Sequence, residues 1–119
     1  MLPLPLLLHY EFAILSANPP GVASIPAAVF LRSMADGYLK ARVRDDLKDV
    51  LGVDSAEIVI GSVAMLIERG ATIGGEALFA ELEDTLSNFL TLGSRSQTVS
   101  GDPETLINTL AFEHLSPRP

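Results

Sequence analysis

"SAEIVIGSVAMLIERG" (Ser55 to Gly70) places a Gly-Ser pair in the middle of an apolar run. One reading makes Gly61-Ser62 the two-residue loop of a β-hairpin, with glycine at the first central position as a type II′ turn requires. Across that turn Ile60 faces Val63, Ile58 faces Met65 and Ala56 faces Ile67, so one face is wholly apolar. The other face pairs Val59 with Ala64, Glu57 with Leu66 and Ser55 with Glu68, as in a ribbon covered on one side. The competing reading is a helix with Asp54 as its cap, Glu57 completing a capping box and Gly70 ending it. Five β-branched residues (Ile58, Val59, Ile60, Val63, Ile67) and the interior Gly61 weigh against the helix. The hairpin is the stronger expectation, and the helix stays open.

Upstream, Leu4, Leu6, Leu8, Tyr10, Phe12 and Ile14 alternate with a second, less apolar set. Period two predicts a half-buried strand over Leu6–Leu15, and the prolines and glycine of "SANPPG" end it. From Ser24 as cap to Leu51, the spacing of Leu31, Ala35, Leu39, Val43, Leu47 and Val50 predicts a helix, kinked or divided at Gly37 and closed by Gly52. Asp36–Lys40 and Arg42–Asp46 would form i,i+4 pairs on it. Downstream, Leu78, Leu82, Leu86, Phe89 and Leu90 predict a helix over Glu76–Leu92. A short strand fits Gln97–Ser100. Asp102, Pro103 and Glu104 then form a helix-start signature. The tail "LSPRP" reads as frayed.

With the hairpin, this order is strand, helix, strand, strand, helix, strand, helix. It predicts a single α+β domain over residues 1–119: a ferredoxin-like sandwich whose antiparallel sheet carries helices on one face. Its core would lie in about 6–92, with 94–119 peripheral. The same order, with Gly61, Ser62 and Val63 in the hairpin turn, resembles the SEA domain, an α+β sandwich with a Gly-Ser-Val-type motif there. Ala64 and Met65 stand where that family usually has valines. The resemblance implies that strain at the Gly61–Ser62 peptide would let the Ser62 hydroxyl attack the preceding carbonyl and cleave the chain. Without that chemistry Ser62 is a polar turn residue.

The 119 residues suit one domain, and 48% apolar against 19% charged residues argues for a folded chain. The absence of cysteine excludes disulfides, thiolate metal sites and a cysteine nucleophile. Net charge is −7, which argues against binding nucleic acid through its phosphates. Arg32, Lys40, Arg42, Arg44 and Lys48 alternate with Asp36, Asp45, Asp46 and Asp49 and read as one mixed, solvated helix face. The N-terminal apolar run lacks a basic start and contains His9 and Glu11, unlike a signal peptide. No run is long enough to span a membrane. The expectation is a soluble, cytoplasmic protein.

No catalytic constellation is legible. His9 shares a strand face with Glu11, and His114 lies near the C-terminus; neither has metal-site spacing, and no metal or cofactor is expected. "RGATIGGEALF" puts glycines before a helix start but lacks a phosphate-binding lysine, and Glu76 would repel an anion. The leading expectation is a non-enzymatic protein–protein interaction module, a small accessory subunit that homo-oligomerises or docks into an assembly through its sheet. Leu7, Val59, Ala64 and Leu66 are its candidate interface. The alternatives are the SEA-like self-cleaving domain and a ferredoxin-like small-molecule binder with its cleft between sheet and helices.

Overall fold

Ser55–Gly70 is helical. In the computed structural model, which describes residues 8–19, 21, 23–34, 39–85 and 89–115, this stretch lies inside one 21-residue helix. The elements run β1 (Leu8–Ala17), β2 (Ile25–Ser33), β3 (Leu39–Val43), α1 (Leu47–Leu51), α2 (Val53–Ile73), α3 (Gly75–Thr85), β4 (Leu90–Leu92), β5 (Ser96–Ser100) and α4 (Pro103–Leu115). The class is α+β with an antiparallel sheet in the order β3-β2-β1-β4, and β5 also pairs with β1.

The hairpin expectation fails because α2 finds its own face. Ala56, Val59, Val63 and Gly70 are buried, with Leu66 and Ile67 packed beside them, at helical spacings of three and four. Each β-branched residue costs a few tenths of a kcal/mol in a helix and Gly61 about 1 kcal/mol. Burying one valine is worth about 1.5–3 kcal/mol, so packing outweighs propensity. Both flanks of β1 are already occupied, by β2 on one side and β4 with β5 on the other. Gly70, expected to end a helix, is an interior position where Leu39 of β3 and Leu78 of α3 close over the missing side chain. The helix instead runs between Gly52 and Gly74, whose φ angles of 84° and 90° lie in the left-handed region that favours glycine.

The helix expected from Ser24 to Leu51 is also corrected: the segment holds β2, β3 and only the short α1. The cause is two-sided burial. Ala27 through Leu31 are fully buried, Ala28 and Phe30 toward α2 and α3, Val29 and Leu31 toward α4. A strand covered on both faces loses its period-two signal. Pro26 sits where the β1–β2 register shifts, a bulge that tolerates the missing N–H. Gly37, Asp36, Leu86, Leu7 and the tail beyond Leu115 lie outside the described residues.

Helices cover both faces, not one. Ala13, Leu15, Ala17, Phe30, Val59 and Phe79 belong to one core between the sheet and α1–α3. Tyr10, Val29, Leu31, Ile107, Leu110 and Leu115 belong to a second, between the sheet and α4. Within residues 94–115, β5 pairs along β1 and α4 contributes Ile107, Leu110, Ala111 and Leu115 to the second core. The predicted cap of α4 is present, with Asp102 Oδ1 accepting from the Glu104 N–H at 3.1 Å. The helix predicted over Glu76–Leu92 appears as α3 followed by β4.

Candidate interaction surface

β4 and β5 act as one interrupted strand along β1. Leu90–Leu92 pair with Ala17–Leu15, and Ser96–Ser100 pair with Phe12–Leu8, so Ala13 and Ile14 face the three residues Gly93, Ser94 and Arg95. The extra residue is a β-bulge, and it reverses which parity faces the helices. Leu90 and Leu92 share the face of Ala17 and Leu15; beyond the bulge Gln97 shares the face of Glu11. Arg95 is thereby turned toward α3.

There it joins a charge cluster that is buried at Glu11 and Arg32 and open to solvent at Glu76. Arg32 Nε donates to Glu11 Oε1 at 2.8 Å, Arg32 Nη2 to Glu76 Oε2 at 2.6 Å, and Arg95 Nη1 to Glu76 Oε1 at 2.9 Å. Arg95 Nη1 also lies 3.5 Å from Glu11 Oε1. Both guanidinium groups lie over the Phe79 ring, at 6.0 and 5.6 Å from its centroid. Arg95, hydrogen-bonded to Glu76, and Arg32 beside it hold that carboxyl below the ordinary carboxylate range, against the opposing effect of burial. Two cations balance two anions, and the cluster ties β1, β2, α3 and the bulge together. It supplies no nucleophile; it fixes where β5 runs.

The outer edge of β5 is consequently open. Among the described residues β5 pairs only with β1. Half of its backbone N–H and C=O groups point away from that partner. Its side chains (Ser96, Gln97, Thr98, Val99, Ser100) carry no charge. The opposite edge, β3, is guarded. Lys40 pairs with Glu104 of α4, and Arg42 donates to Asn108 Oδ1 at 2.6 Å. Unpaired edges without such charges are templates for another strand.

The basic segment expected to form a solvated helix face is thus dispersed: Arg32 is buried, and Lys40, Arg42 and Arg44 all have acidic partners. Of the expected interface residues, Val59 is fully buried and unavailable, Leu66 is half-buried against the core, and Ala64 is exposed on α2. Leu7 lies outside the described residues. Gly61 and Ser62 occupy mid-helix, not a turn, and Gly61 has no left-handed φ. His9 is exposed on β1, and His114 lies 5.5 Å from the Phe12 ring. The glycines before α3 lead into Glu76, whose own carboxylate meets Arg32 and Arg95.

A cleft of about 440 Å³ opens between β3 and α4, lined by Arg42, Arg44, Asp46, Asn108 and Phe112 among others. Its arginines are held by Asp45, Asp46 and Asn108. The Glu11–Arg32–Glu76–Arg95 cluster is not legible in the sequence, where Arg32 falls in a stretch with helical spacing and Arg95 belongs to no patterned element. The residue pattern carries no signal of a bulge. Among the described residues no helix is long and apolar enough to cross a membrane. Comparison with known proteins finds no match: no family model, no curated protein and no solved structure aligns significantly with the chain.

Proposed function

We propose that the chain is a non-enzymatic protein interaction module, a small accessory subunit that self-associates by pairing β5 of one copy antiparallel with β5 of another. The open, uncharged β5 edge carries the reading. Pairing about Thr98 sets Thr98 against its own counterpart, Ser96 against the second copy's Ser100 and Gln97 against its Val99. No like charges meet, which matters for a chain of net charge −7. The same operation at β3 would bring Lys40 against the second copy's Arg42.

Size-exclusion chromatography with light scattering over a concentration series tests this. The expected result is a mass rising from 12.7 kDa toward twice that value. Thr98→Lys, which sets two ammonium groups side by side at the centre, returns it to the monomer with unchanged far-UV circular dichroism. A strict monomer at every concentration, or a dimer indifferent to Thr98→Lys, overturns the reading.

A further inference from the structure

The outer face of α2 carries large apolar side chains that the fold does not use. Ile58 is 57% exposed, Met65 70%, Val53 56% and Ile60 42%. They form two ridges about two helical turns long, Val53–Ile60 and Ile58–Met65, seven residues apart in each case. Between the ridges run Glu57, Gly61, Ala64 and Glu68, all exposed. A Cβ at Gly61 would meet nothing within 4 Å, so no contact among the described residues requires glycine there. Mid-helix glycine costs about 1 kcal/mol against alanine. What its absent side chain provides is a shallow trough between two apolar ridges, of the kind into which a second helix packs its own ridge.

Charge identifies the occupant. Glu57 and Glu68 close the trough at its two ends, eleven residues or about 16 Å apart along the axis. The base on this side of α2, Arg69, is held by both oxygens of Glu81 at 2.8 and 2.9 Å. A second copy of α2 is a poor fit in either direction. Laid parallel it opposes Glu57 to Glu57 and Glu68 to Glu68; laid antiparallel about the trough it opposes Glu57 to Glu68. From this geometry we infer that the outer face of α2 docks a basic amphipathic helix of another protein, with an apolar stripe three turns long and a lysine or arginine near each end. This surface is separate from the β5 edge and does not depend on self-association there.

The test uses the full chain and two fluorescent synthetic helices of 21 residues, each with a leucine stripe. One carries lysines at both ends of the stripe and the other glutamates. Fluorescence anisotropy is expected to show saturable binding of the lysine peptide, weakening as salt rises, and none of the glutamate peptide. Met65→Glu, on an exposed site, is expected to weaken binding at least tenfold with unchanged circular dichroism. Glu57→Lys with Glu68→Lys is expected to reverse the preference. No binding of the lysine peptide, or binding indifferent to both variants, overturns the inference. So does a loss of self-association in Met65→Glu, which would make α2 the surface between copies. Repeating the titration on Thr98→Lys separates this result from any failure at the β5 edge.

Discussion

Arg32 Nε meets Glu11 Oε1 at 2.8 Å with side chains only 8% and 7% exposed, on adjacent strands whose register places these residues directly opposite. A buried charge whose partner is removed keeps its desolvation penalty and loses its compensation. Arg32→Met is therefore expected to destabilise the fold by about 3–5 kcal/mol in urea denaturation. The double variant Glu11→Leu with Arg32→Met leaves Arg95 paired with Glu76 and is expected to be more stable than Arg32→Met alone. A double-variant loss equal to the sum of the two single-variant losses would show that the pair is not coupled.

Gly61 separates the two structures available to its stretch. In a type II′ turn it needs positive φ, and alanine would destabilise. In α2 its backbone is helical and its surroundings are open. Gly61→Ala is thus expected to stabilise the protein by about 0.5–1 kcal/mol. Val59, fully buried two residues before Gly61, gives the contrast: Val59→Ala removes two carbons and is expected to cost about 1–3 kcal/mol. Thermal and urea unfolding of both variants would check the pair of signs.

Acid stability follows from Glu76 and Asp46. The hydrogen bonds and charge of Arg95 and Arg32 lower the first, and the Arg44 hydrogen bond lowers the second, each against some burial. A carboxyl with a depressed folded pKa contributes stability that is complete above its unfolded value, about 4.3 for Glu and 3.9 for Asp, and is lost as pH falls through the folded value. The urea midpoint is expected to fall below about pH 4. Glu76→Gln should flatten part of that decline. Because the Glu76 side chain is 63% exposed, the effect is expected to be shallow and weaker in high salt.

The Gly61–Ser62 bond lies within a helix, with no cis peptide and no left-handed residue near it. The purified chain is expected to run as one 12.7 kDa band on a denaturing gel after prolonged incubation. Fragments corresponding to 1–61 and 62–119 would restore the self-cleaving reading.

Some elements declare themselves locally. β1 reads directly from its alternation, predicted over Leu6–Leu15 and found at Leu8–Ala17, because Tyr10 and Phe12 face one core and Ala13 and Leu15 the other. The start of α4 reads from Asp102-Pro103-Glu104, since capping is a contact between neighbours. The β5 strand reads from a short polar stretch between turns.

What the residues could not decide alone is what depends on distant partners. β2 has no periodicity of its own because helices lie on both sides of it, one set from residues 47–85 and the other from 103–115. The Ser55–Gly70 stretch has the propensity of strands and a consistent hairpin register, yet becomes a helix because both flanks of β1 are filled and its 56–59–63 face joins the same buried core as Ala13, Leu15 and Phe30. The charge cluster arises only when a bulge turns Arg95 toward Glu76. Local sequence determined the cap of α4, a contact between near neighbours, and the alternation that marks β1. Tertiary structure decided the rest, because burial between layers outweighs the few tenths of a kcal/mol per residue that separate helix from strand.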